Sequence, residues 1–163
     1  MHTITIKGHE IKLKGTFPKA GEQAPDFLLV DAELKNKKLS DFPGKKLITI
    51  IPSVDTPVCS KSTRHFHEMM DKKNISLLVV SADLPFAQKR YCGLEGLSSA
   101  MTLSMMRDKS FAESYGVLIT EGALEGICAR AVLLLDENNK VIYSELVSEL
   151  SQEPNYEKIL SYL

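Results

Sequence analysis

The segment Pro52-Ser53-Val54-Asp55-Thr56-Pro57-Val58-Cys59 directly follows a β-branched apolar run, Leu47–Ile51, and carries a thiol into a helix start. Pro57 suits the first helical position, where its missing N–H costs nothing. Thr56 then falls at the N-cap, where its hydroxyl is expected to accept a bond from a first-turn amide. Cys59 follows in the first turn, where backbone N–H groups lack intrahelical partners and the helix dipole is positive. That setting favours the thiolate, which is the nucleophilic form of cysteine. Phe66, Met69 and Met70 define the apolar stripe of the helix. Seven steps of ~100° from Cys59 to Phe66 return to within roughly 20° of the same face. The thiol is therefore expected to point inward at the helix base, half sheltered. The same spacing also fits a small core residue with no chemistry.

Other chemistry is weaker. His65 and His67 both lie about two turns downstream on the same helix, too far along its axis to assist Cys59. Residues two apart do not share a helix face, so they make a poor metal pair, and both read as surface or packing residues. The three cysteines, at 59, 92 and 128, include no Cys-x-x-Cys pair. A secreted disulfide scaffold would carry more of them, in even number, and structural zinc usually asks for four ligands. The thiols are either inert core groups or reactive ones in a reducing compartment.

The elements that must position Cys59 alternate between strand and helix. Thr3–Lys7 and Glu10–Lys14 alternate with period two around Gly8-His9, which predicts an N-terminal β-hairpin. A short strand is expected at Phe27–Val30, and the runs Leu47–Ile51, Ile75–Ala82 and Ala131–Leu135 read as strands buried on both faces. Helices are expected at Pro57–Lys73 and near Phe86–Tyr91, Lys109–Tyr115 and Asn155–Leu163. Ala131–Asp136 and Lys140–Glu145 form an antiparallel hairpin around Glu137-Asn138-Asn139. The sum is an α/β fold, a mixed central sheet flanked by helices. A chain of 163 residues fits one domain, residues 1–163, with a core large enough to fold without staples.

Composition excludes several function classes. Twenty basic residues against 21 acidic ones leave a formal charge of −1, so the electrostatic footprint of a nucleic-acid binder is missing. The patch Lys35, Lys37, Lys38 reads as a solvated turn. Apolar stretches are strand-sized, well short of the ~20 residues a membrane span needs. The N-terminus lacks the apolar region of a secretory signal, and neither end carries a lipidation pattern, so a cytoplasmic protein is expected.

Pro52, Thr56 and Cys59 match the Pro-x-x-x-Thr-x-x-Cys motif of the peroxiredoxins, and the run around them resembles the bacterial thiol peroxidase branch. Ser81-Ala82-Asp83-Leu84-Pro85-Phe86-Ala87-Gln88-Lys89-Arg90-Tyr91-Cys92 resembles that branch's resolving-cysteine segment, and Ala129-Arg130-Ala131-Val132 the segment with its active-site arginine. With the N-terminal hairpin and the Leu135–Asn138 turn, the likeness spans essentially the whole chain. Tyr91 stands where phenylalanine or tryptophan is expected, and His67 where asparagine is usual. Cys128 occupies a position the family does not need and reads as a core thiol.

The resemblance implies a thioredoxin-like fold and reduction of hydrogen peroxide and organic hydroperoxides, with no metal, haem or flavin. Cys59 would attack the peroxide and become a sulfenic acid, and Cys92 would condense with it to an intramolecular disulfide. Thioredoxin would reduce that disulfide, and a homodimer is the implied assembly. An unperturbed thiol, with a pKa of about 8.5, is only a few per cent ionised at pH 7. Complete ionisation therefore gains at most ~30-fold, or about 2 kcal/mol. The rest must come from stabilising charge as it moves from sulfur to the departing oxygen. Arg130, Thr56 Oγ1 and first-turn amides are the expected donors, with Pro52 shielding the sulfur from water. Two other readings stand beside this one. A Cys59–Cys92 couple that acts as a redox switch would not turn over. A dithiol oxidoreductase would usually carry Cys-x-x-Cys. Met101, Leu103 and Met105 either line a lipophilic pocket or form one face of a core strand.

Overall fold

A computed structural model describes residues 2–163. Strands β1 (Thr3–Ile6) and β2 (His9–Lys14) pair antiparallel as the expected hairpin, with Thr3 opposite Lys12. Then come β3 (Leu28–Val30), β4 (Asn36–Lys38), β5 (Lys46–Ile50), α1 (Pro57–Lys73) and β6 (Ser76–Ser81). They are followed by α2 (Pro85–Glu95), β7 (Ala100–Ser104), α3 (Ser110–Ser114), β8 (Leu118–Ile119), β9 (Ala131–Leu135), β10 (Val141–Leu146) and α4 (Tyr156–Leu160). The central sheet has seven strands in the order β10-β9-β5-β6-β7-β3-β4. Its middle, β5-β6-β7, is parallel, because α1 and α2 each return the chain across the sheet. The outer pairs β9-β5, β10-β9, β3-β7 and β3-β4 are antiparallel.

Alternation along the buried strands sorts their side chains onto two faces. Leu47, Leu77, Val79, Val132 and Leu134 meet Cys59, Phe66 and Met70 of α1, Tyr91 of α2 and Ile159 of α4. Ile48, Ile50, Leu78, Val80, Ala131 and Leu133 face the other way, onto Phe111 of α3, Tyr115 at its C-cap, and Ile4 and Leu13 of the hairpin. Each fully buried Leu, Ile or Phe is worth about 1.5–3 kcal/mol, so these two layers carry the fold. The hairpin joins β8 in a separate three-stranded sheet over the second layer. Gly116, at φ +67°, makes that contact possible: a Cβ there would lie 2.4 Å from the Phe17 backbone nitrogen.

The Lys35–Lys38 patch is not a turn. Asn36–Lys38 is the edge strand β4, and it pairs with β3 through Leu29 opposite Lys37. Lysines along it suit an edge that must not recruit another strand. Strand β7 takes the core-strand alternative for Leu103: its Thr102–Ser104 half is buried, while Met101 is exposed.

Candidate active site

Topology brings Cys59 and Arg130 together. Strand β5 ends at Ile50 and runs through Ile51 and Pro52 into the loop that opens α1. Strand β9 runs antiparallel beside β5 with Ala131 opposite Ile50, so Arg130 enters the sheet where β5 leaves it. Arg130 shares the parity of Val132 and Leu134, whose side chains pack on the α1 side. Its Nη1 donates to Cys59 Sγ at 3.1 Å, and its Nε donates to the Leu150 carbonyl at 3.1 Å. Cys59 is 0% exposed and Arg130 2%. Among the described residues no carboxylate forms an ion pair with this guanidinium. A buried cation without an acidic partner is suited to holding an anion, and the group in contact with it is Cys59 Sγ. The sulfur is more deeply buried than the expected half shelter, because Val54, Phe66 and the sheet close over it.

Thr56 stands at the N-cap of α1 in extended conformation, with Pro57 next, but its side chain caps nothing. Its Oγ1 donates to the Ser53 carbonyl at 3.2 Å instead of accepting from a first-turn amide. The tight turn Ser53–Thr56 puts that carbonyl within closer reach than the helix amides. Pro52, Thr56 and Arg130 border a cleft of about 310 Å³, walled by Ile6, Val58, Leu124, Ile127 and Leu150. Met101, Leu103 and Met105 are absent from it. Leu103 and Met105 are buried in the second core layer, and Met101 opens elsewhere.

Cys92 sits in the last turns of α2, half-buried, in a groove of about 400 Å³ shared with Lys89, Gly96 and Met101. Burial pushes its thiol above the ordinary range. Three contacts join α2 to α1 and to the loop before it. Tyr91 Oη donates to the Ser60 carbonyl at 3.2 Å, Arg90 meets Asp55 at 3.8 Å, and Arg64 meets Glu95 at 3.6 Å. The chain neighbours of the two thiols thus touch, although the thiols themselves are free and Cys92 opens onto its own groove.

A family model described as Redoxin matches residues 19–160. The chain belongs to the redoxin family. It is 44% identical over 165 residues to a thiol peroxidase of Oceanobacillus iheyensis, covering 100% of this chain and 99% of that protein. It also superposes on a peroxiredoxin-like protein from Aquifex aeolicus with TM-score 0.89 and 40% identity, over 99% of this chain and 95% of that one. A thiol peroxidase from Chromobacterium violaceum gives TM-score 0.93 at 29% identity, over 98% and 93% of the two chains. The thioredoxin-like fold expected from the resemblance is the fold of these redoxins.

Around the redoxin centre lie groups that the sequence did not single out. The Leu150 carbonyl steadies Arg130, and its segment is held by the N-terminal hairpin: Thr5 N donates to Ser148 O at 2.7 Å and Leu150 N to Thr5 O at 2.9 Å. Glu149 accepts from Ser151 N and Gly8 N, which holds its carboxyl well below the usual range, at about 2. No local pattern announces a carbonyl acceptor twenty residues from its arginine. Of the histidines, His65 stacks on Tyr156 with ring centroids 3.9 Å apart, and His67 Nε2 lies 2.7 Å from Ser99 Oγ. Both pack at the surface, as expected.

Cys128 lies in the second core layer, on the face of the sheet away from Cys59, with its Sγ 3.7 Å from Met105 Sδ. Burial pushes its thiol up to about 12. It therefore stays protonated and unreactive at neutral pH. Cys128→Ala is expected to keep peroxide turnover within about twofold while lowering stability by about 1 kcal/mol through the lost packing. Parallel kinetics and thermal melts check both parts.

Proposed function

We propose that this chain is a thiol peroxidase that reduces hydrogen peroxide and organic hydroperoxides through a two-cysteine cycle, in a reducing compartment such as the cytoplasm. The reading rests above all on the Arg130 guanidinium, buried without an acidic partner and bonded at 3.1 Å to a sulfur in a helix's first turn. The Cys59 thiolate attacks one peroxide oxygen; an S–O bond forms, the O–O bond breaks, and the departing oxygen takes a proton to leave as water or alcohol. Arg130 steadies the charge as it passes from sulfur to that oxygen, in a site that excludes water. Thr56 Oγ1, at the cleft, exchanges its Ser53 carbonyl for the peroxide. Pro52, buried at the edge of the same cleft, shields the sulfur from water.

The Cys92 thiol then attacks the Cys59 sulfenic acid, forming the disulfide and releasing water. Cys59 is buried on Arg130 while Cys92 faces its own groove, so the first turn of α1 or the end of α2 unwinds to bring the Cα atoms within the ~7 Å a disulfide needs. The chain has no second dithiol, so an external one, thioredoxin, accepts the disulfide and is oxidised in turn. The assembly is a homodimer, as in the related branch, and the physiological role is antioxidant defence.

The chemistry is tested by treating reduced protein with one equivalent of cumene hydroperoxide, alkylating, and mapping peptides by mass. The expected product is a peptide pair joining Cys59 to Cys92, two hydrogens lighter than the reduced pair. A pair joining Cys59 to Cys128, or a stable sulfenic acid alone, would overturn the assigned resolving thiol.

A further inference from the structure

Asp83 lies between β6 and α2, on the path that links the two thiol-bearing helices. Its carboxylate receives Ser53 Oγ at 2.8 Å, Val54 N at 2.9 Å and Ser81 Oγ at 2.7 Å. Ser53 and Val54 belong to the loop that carries Cys59 into α1. Its own carbonyl receives Ser104 Oγ at 2.5 Å, which pins it to the end of β7. Ser81 Oγ in turn accepts from Gln88 Nε2 at 3.0 Å, and the same amide donates to Leu103 O at 3.0 Å. Gln88 stands one turn before Cys92 on α2. Ser81, Gln88 and Ser104 are all fully buried. One polar chain therefore runs from the Cys59 loop through Asp83 and Ser81 to the turn of α2 that presents Cys92.

We propose that Asp83 is a positioning residue that sets the balance between the two half-reactions. This rests on the two-cysteine reading above. Peroxide attack needs the first turn of α1 wound, with Cys59 on Arg130; disulfide formation needs that turn, or the end of α2, to unwind. Asp83 touches neither sulfur. It holds the loop on which the wound state depends, and it anchors α2 through the same carboxylate, so its bonds favour the peroxide-reactive form. Hydrogen bonds to an ionised carboxylate are worth more than neutral ones, and three converge here. Asparagine would keep the shape but leave a single acceptor oxygen for the three donors.

The test separates the steps. Reduced protein is mixed with cumene hydroperoxide in a rapid-quench apparatus, and loss of the Cys59 thiol, disulfide and sulfinic acid are followed by mass. For Asp83→Asn the expected result is Cys59 oxidation about tenfold to a hundredfold slower. Disulfide formation should be as fast as in wild type or faster, and less sulfinic acid should form at high peroxide. Ser53→Ala, which removes one donor and leaves Asp83, Ser81 and Gln88 in place, should shift the same ratio in the same direction by less; it decides the matter if Asp83→Asn fails to fold. Folded variants that oxidise Cys59 at the wild-type rate would overturn the proposal. So would variants that slow both steps in equal proportion. Wild type that forms no Cys59–Cys92 disulfide would instead remove the two-cysteine reading itself.

Discussion

Arg130→Gln is expected to slow peroxide attack on Cys59 by about 10²–10³-fold, the loss seen when one preorganised donor to a developing oxyanion is removed. The wild-type guanidinium spans two acceptors, Cys59 Sγ and the Leu150 carbonyl, each at 3.1 Å. Glutamine is shorter and neutral. It can satisfy the carbonyl or approach the sulfur, but it carries no charge to steady the one that moves during O–O cleavage. The fold is expected to survive, because replacing a desolvated charge with a neutral polar group relieves a burial penalty even as it removes a bond. Arg130→Lys should fall between the two. It keeps the charge, but a single ammonium cannot hold the fixed fork that reaches both partners. The second-order rate of Cys59 oxidation, taken by rapid quench, ranks the three proteins. Equal rates in wild type and Arg130→Gln would remove the guanidinium from the mechanism.

Cys92→Ser is expected to abolish sustained turnover while leaving the first oxidation intact. Cys59 and Arg130 pack on the sheet and on α1, and neither depends on the Cys92 sulfur, which opens onto its own groove. One equivalent of peroxide should therefore be consumed at close to the wild-type rate, and the sulfenic acid should persist long enough to be trapped by a carbon nucleophile. Excess peroxide should carry it on to sulfinic acid. In wild type, the resolving step should accelerate as pH rises through the neutral and mildly alkaline range. Burial pushes the Cys92 thiol up, so at pH 7 it is almost wholly protonated, and each rise in pH increases its reactive thiolate. A resolving rate that falls with pH would contradict this.

Local physics made much of the site legible in the sequence. Pro57 marked the first residue of α1, and the seven-residue step from Cys59 to Phe66 placed both on the inward face. Thr56 shows where such reasoning stops. The residue occupies the N-cap, yet its hydroxyl turns to the Ser53 carbonyl, because a tight turn competes with the helix for the same group. Arg130 was visible only through resemblance, since a lone arginine before a buried strand has no periodic signature. In the folded chain its place follows from strand pairing, Ala131 opposite Ile50, and from the parity it shares with Val132. The cleft walls were not legible at all. Ile6, Leu124 and Leu150 come from three segments that only the tertiary fold brings together. Asp83 lay within a recognised segment, but its bonds to Ser53 and Val54 span about thirty residues and leave no spacing to read.

That Cys59 reduces peroxide at the expense of an external dithiol is tested by NADPH oxidation with thioredoxin, thioredoxin reductase and cumene hydroperoxide, wild type beside Cys59→Ser. Sustained, peroxide-dependent turnover is expected in wild type and none above background in Cys59→Ser. A folded wild type that consumes a single equivalent and stops would contradict it, and would leave the Cys59–Cys92 couple as a switch without catalysis.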